Sequence, residues 1–243
     1  MTTLLTIIGD ASEELAFDRP ASVTGSTDPG VLRLLQMSNR EGRDLAEAAE
    51  WTALQRLHTF TTTADTDEYT LPSDYGRLLN DTEWDRTEAR PIIGPLSPEQ
   101  WQAIKSGSLG SGIYGRRYRI LRSATSTTRK IRIDPTPSTT GDTLAYEYIS
   151  NAWCTSSDGE TLQTAWAADT DVTLLDRDLL TLGTIVRYRR ATGLDYASES
   201  DEYMTMLHRK IARDRPSPTL NLARRSRLRL IGVDNLPETG FGL

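Results

Sequence analysis

The hydrophobic period of this 243-residue chain changes twice, and that change limits its fold more than any single motif. Between Asp28 and Leu57 the apolar residues Val31, Leu34, Leu35, Leu45, Ala49, Ala53 and Leu57 recur at spacings of three, four or their sums, the mark of a long amphipathic helix. Asp28 is placed to cap it, Pro29 suits the first helical position, and Gly42 interrupts the stripe where close packing or a bend is expected. From Phe60 to Thr173 that spacing gives way to short runs rich in β-forming residues, separated by Gly, Pro, Asp and Thr. After Asp176 the helical spacing returns in Leu175, Leu179, Leu182 and Val186, with basic Arg187, Arg189 and Arg190 in the closing turns and Gly193 as a stop.

Further elements complete the outline. Thr2 to Ala16 reads as a short first helix, and Ser198 to Arg213 as a last one carrying Tyr203, Met206, Leu207 and Ile211, closed by Pro216 and Pro218. Strands are expected at Glu68–Leu71, Tyr114–Leu121, Lys130–Ile133 and Thr143–Ile149. Ser97-Pro98-Glu99-Gln100 has the form of a capping box that starts a short helix, with Trp101 and Ile104 on its buried face. The fold class is therefore α+β: an antiparallel helical bundle split by an inserted antiparallel β-rich domain, followed by an extended C-terminal arm. The helical part takes residues 1–60 and 174–215, the insertion 61–173, and the arm 216–243.

Charge is unevenly spread. Arg209–Arg229 holds eight basic residues and one acid, a net +7, which leaves −13 on the rest of a chain whose total is −6. Such asymmetry belongs to a partner contact, and the leucines among the arm's arginines would be wasted on a purely solvated tail. Hydrophobic residues amount to 37%, a modest share that burial against partners would supplement. A single cysteine, Cys154, permits no internal disulfide and fits a reducing compartment. The longest uncharged apolar run, Leu4–Gly9, is too short to cross a bilayer, and the opening MTTLLTIIGD lacks the basic start of a signal peptide.

Motifs that suggest chemistry lack its context. Gly110, Gly112 and Gly115 have the spacing of a dinucleotide-binding loop, but a helix precedes them and a strand follows, the reverse of what pyrophosphate binding needs. Trp84-Asp85 is a single pair without a propeller's repeat, and the Asn80-Asp81-Thr82 sequon carries no meaning inside a cell. His58 and His208 fall in separate helices and give no metal-ligand spacing. The acids Asp81, Glu83, Asp85 and Glu88 are interleaved with Arg77, Arg86 and Arg90, so mutual ion pairs account for them better than paired catalytic carboxylates. No enzyme, cofactor or metal site is expected.

The stretch from Tyr69 to Lys105 nevertheless has dense, specific patterning. Tyr69-Thr70-Leu71-Pro72, Asn80 to Arg86, and Gly94 to Trp101 resemble the corresponding run of the head-to-tail adaptor, or connector, proteins of tailed bacteriophages. The resemblance is specific in the middle of the chain and looser at both ends. It implies a structural virion protein at the head-tail junction, made in the host cytoplasm. About twelve copies would form a ring beneath the portal protein, extend the DNA channel, and offer a docking surface to tail or nozzle proteins; DNA would pass through without sequence-specific binding and no membrane is involved.

Carried onto this chain, the resemblance makes the arm the portal-binding element. Leu220, Leu222, Leu228 and Leu230 would fill portal grooves, while Arg224, Arg225, Arg227 and Arg229 would pair with portal acids. Trp84, Asp85, Arg86 and Trp101 are candidates for the subunit interface, the two tryptophans being equally suited to the domain core. The alternative from another class is a nucleic-acid-binding protein that uses the basic arm. The arm has no aromatic residue from Pro216 to Gly240 for bases to stack on, and its leucines suit a protein partner better.

Overall fold

In the computed structural model the described residues are 2–106, 115–122 and 128–214. They form an α+β fold with five α-helices and antiparallel sheets. The order is α1 (Leu4–Glu14), α2 (Pro29–Ala48), β1 (Gln55–Thr61), β2 (Glu68–Thr70), β3 (Tyr75–Leu78), β4 (Trp84–Asp85), β5 (Arg90–Pro91), α3 (Pro98–Lys105), β6 (Arg117–Arg122), β7 (Arg129–Asp134), β8 (Thr143–Ser150), β9 (Cys154–Thr155), β10 (Leu162–Gln163), β11 (Val172–Thr173), α4 (Arg177–Thr192) and α5 (Ala197–Asp214). None of these helices is long and apolar enough to cross a membrane.

The helices start and stop where their caps dictate. Asp28 accepts a hydrogen bond from the Gly30 amide at 2.7 Å, with Pro29 in the first turn of α2. Asp176 accepts from the amides of Asp178 and Leu179 at the start of α4, and Gly193 ends that helix in the left-handed region. Helices α1 and α2 both pack on α4, as does α5. Their shared core includes Leu4, Ile7, Leu34, Leu45, Leu179 and Leu180, with Trp153 at its centre. The Trp153 ring lies against α2 at Gly42, where an added Cβ would come within 2.4 Å of it. The start of α1 is tied to the segment before β11, the Leu4 amide donating to the Asp171 carbonyl at 2.9 Å.

The long helix read over residues 28–57 is two elements. It ends at Ala48, Trp51 stands in the following turn with its Nε1 donating to the Leu45 carbonyl at 2.6 Å, and Gln55–Thr61 is strand β1. The spacing of Ala49, Ala53 and Leu57 continues the helical stripe by coincidence. Seven successive rungs of pairing with β8 decide the conformation instead. His58 is thus a strand residue, stacked on Phe60, and burial lowers its pKa against an opposing pull from Asp74.

Strand β8 organises the β region. It pairs with β1 on one side and with β3 and β4 on the other, and β5 extends the sheet from β4. A second sheet runs β2-β7-β6, and β10-β9-β11 make a third, small one. The first two sheets share a core of Leu71, Tyr75, Tyr118, Ile131, Ile133, Leu144, Tyr146 and Tyr148.

Candidate assembly surface

The Asn80–Arg86 run folds as a turn leading into a short strand between β8 and β5. Asp81 adopts a left-handed conformation (φ 67°), which aspartate tolerates better than most residues. Thr82 then ties the turn down: its hydroxyl donates to the Leu79 carbonyl at 2.6 Å and accepts from the Glu147 amide at 3.1 Å. Strand β4 follows, with Trp84 opposite Ala145 and Asp85 opposite Leu144 of β8.

Two acids of this run, Glu83 and Asp85, are buried and find partners far away in sequence. Glu83 is 4% exposed and accepts a hydrogen bond from the Tyr118 hydroxyl at 2.5 Å. Burial raises the Glu83 pKa, with the Tyr118 bond opposing it in part, and burial beside Glu83 raises that of Tyr118. Asp85 is 2% exposed; its Oδ1 accepts from the amides of Thr87 and Glu88, both at 3.0 Å, and its Oδ2 lies 3.1 Å from Arg116 Nε. Arg116 also reaches Asp142, so one guanidinium joins β4 to the start of β8. For Glu83 and Asp85, the pairing expected with Arg77, Arg86 and Arg90 is replaced by Tyr118 and Arg116, which the β-fold supplies from 30 or so residues on.

The Gly94–Trp101 run closes over the same core. An added Cβ at Gly94 would meet the Tyr118 ring at 2.6 Å, so the backbone rests on that side chain. The expected capping box is present: Ser97 and Gln100 bond reciprocally, at 3.2 and 2.9 Å. Trp101 is 3% exposed, with the Lys105 ammonium 5.2 Å from its ring centroid, and Lys105 itself reaches Asp134 at 2.6 Å. Of the four residues singled out for a subunit contact, Asp85 and Trp101 are buried within the chain, Trp84 is half-buried and Arg86 exposed. Trp84 and Arg86 are therefore the two that a neighbour can touch.

At the other end, α5 has no fully buried residue. Tyr203, Met206, Leu207 and Ile211 pack against the helical core, and polar clasps fix the rest. Tyr203 donates to Glu41, Lys210 pairs with Asp176, and Asp214 accepts from the Thr52 amide and hydroxyl, both at 2.8 Å. That last clasp holds Asp214, the last described residue, against the turn that follows α2. The arm residues Leu220, Leu222, Arg224, Arg225, Arg227, Leu228, Arg229 and Leu230 lie outside the described residues, as do Gly110 and Gly112.

Among the described residues, no three His, Cys, Asp or Glu side chains converge as metal ligands do. Cys154 is buried, which pushes its thiol up to about 12 and keeps it protonated. A cleft of about 580 Å³ lies between α2 and β3, walled by Arg43, Glu47, Gly76 and Arg77. It holds neither a histidine nor a cysteine to act as base or nucleophile. A family model described as SU10 adaptor protein matches residues 2–228, nearly the whole chain. No curated protein matches.

Proposed function

The chain belongs to the SU10 adaptor protein family, a family of bacteriophage structural adaptors, and from that premise we propose that it forms the ring joining the portal to the tail. About twelve copies sit beneath the portal protein at the head-tail junction, extend the channel through which DNA passes, and present the surface on which tail or nozzle proteins dock. Residues 1–60 with 174–215 act as the helical body, 61–173 as the inserted β region, and 216–243 as the arm that grips the portal.

The observation that carries this reading is the match over residues 2–228, which includes the first half of the arm. The anchoring of α5 supports it. Clasped at Glu41, Asp176 and Thr52, the last helix is a firm base from which an arm rich in leucine and arginine can reach a partner. Leucines give an apolar anchor, and arginines give planar, bidentate recognition of carboxylates. The motif run contributes differently. Its acids and Trp101 build the chain's own core, and Trp84 and Arg86 remain for a neighbouring copy.

The test is co-sedimentation with the portal ring from the same genome, full-length chain against a chain ending at Arg215. Binding by the full chain and loss on truncation is the expected result. Binding by both would place the portal contact on the helices, and binding by neither would refute the adaptor role.

A further inference from the structure

Residues Arg116–Asp134 form a second cationic segment, independent of the arm. Arg116, Arg117, Arg119, Arg122, Arg129, Lys130 and Arg132 stand against the single acid Asp134, a net +6 in 19 residues. With Arg209–Arg229 at +7 and the whole chain at −6, everything else carries −19.

The structure places these cations on the β6–β7 ribbon in an unfavourable register. Arg119 lies directly opposite Arg132, and Arg122 directly opposite Arg129. Like charges facing each other across an antiparallel pair destabilise it. The chain relieves only part of this. Arg132 pairs with Glu68 and Asp67, Lys130 with Glu68, and Arg116 with Asp85 and Asp142. Arg129 has a tyrosine face, Tyr75, and the Gly76 carbonyl, but no acid among the described residues. Arg119 and Arg122 have no acidic partner among the described residues. Residues 107–114 and 123–127, the segments adjoining the ribbon, contain no Asp or Glu that could supply one. Tyr118, Ile131 and Ile133 face the core between these rungs and hold the ribbon in place; Arg117 is buried, Arg119 is half-buried on the opposite face, and Arg122 and Arg129 are exposed at the ribbon's far end.

We propose that the β6–β7 ribbon, through Arg119, Arg122 and Arg129, docks on the acidic surface of a neighbouring copy of this same chain. The complementary charge is in the protein itself, since what remains outside Arg116–Asp134 and Arg209–Arg229 is −19. A patch that meets a different patch on the next copy makes a head-to-tail contact, the kind that closes into rings. This deepens the adaptor reading and rests on it, by giving the ring a contact that is electrostatic and therefore sensitive to salt.

The experiment counts full-length chains loaded on each portal ring, by mass, through a titration with wild type, R119E/R122E and the milder R119A/R122A. It is run at about 0.1 M and about 1 M salt, where the screening length falls from about 10 Å to about 3 Å. Wild type is expected to load cooperatively at low salt, with few partly filled rings, and to lose that cooperativity at high salt. R119E/R122E should fill rings without cooperativity, needing about ten-fold more protein for full loading, and R119A/R122A should fall between. Neither variant should melt lower than wild type, because each removes a like-charge rung. Cooperative loading by R119E/R122E equal to wild type would overturn the proposal. So would equal loading accompanied by lost retention on duplex DNA, which would assign the ribbon to DNA. Failure of wild type itself to load would instead remove the adaptor reading, and this proposal with it.

Discussion

Glu41 shows how single residues hold the helical part together. Its carboxylate is 2% exposed and takes Arg187 from α4 and Tyr203 from α5, while Arg187 also reaches Asp44 at 2.6 Å. Burial works against the Arg187 charge, yet Glu41 and Asp44 more than restore it and raise its pKa. Gly183 is what lets the carboxylate lie against α4, since an added Cβ would fall 2.3 Å from Glu41 Oε1. Gly183→Ala is expected to cost about 1–3 kcal/mol as an overpacking change. Glu41→Ala, which leaves Arg187 half-desolvated without its partner, should cost about 3 kcal/mol. Denaturant melts of both variants check this. A loss under about 0.5 kcal/mol in either would mean that α4 and α5 do not depend on this junction.

Glu83 gives a prediction with a pH sign. Its folded pKa lies above the unfolded value, so the folded state holds the proton more tightly. The stability this adds is present at pH below about 4.5 and is lost as pH rises through the folded value. Glu83→Gln keeps an oxygen to accept from Tyr118 and removes the buried charge. The variant should match wild type near pH 4 and equal or exceed it near pH 7. Melting curves across that range would contradict the account if the variant lost stability only at neutral pH. These roles were not legible from sequence, where Glu83 and Asp85 stand among local arginines. Their partners come through β pairing, and no local pattern encodes that.

At the scale of elements, what could be read depended on local chemistry. The starts of α2, α3 and α4 were visible because Asp28, Ser97 and Asp176 cap their own backbones within three residues. Strand β8 was visible from its run of β-forming residues. Two-residue strands such as β4, β9 and β11 carry no period, so only their pairing creates them. The α2–β1 boundary failed for the same reason, since β1 depends on β8 some 90 residues on. Gly42 was flagged for close packing or a bend, and Trp153 explains it. Gly42→Ala forces a methyl into a fully buried indole and should cost about 1–3 kcal/mol. Ser97→Ala removes half of a capping box and should cost about 1 kcal/mol. Thermal melts that ranked Ser97→Ala as the more damaging of the two would contradict this packing account.

For the whole molecule, the central claim is assembly. One chain has two cationic stretches, Arg116–Asp134 and Arg209–Arg229, in an otherwise acidic sequence, a division that suits a part with at least two different neighbours. The adaptor class was legible in the sequence through the Tyr69–Trp101 run, whose residues prove to shape the chain's own fold around Tyr118 as much as any surface. The most direct test is the mass of the complex that the full-length protein forms with its portal ring. The account predicts a single closed species heavier than the portal by about 325 kDa, that is, about twelve chains of 27.1 kDa. A portal that gains no mass, at any protein concentration, would contradict it.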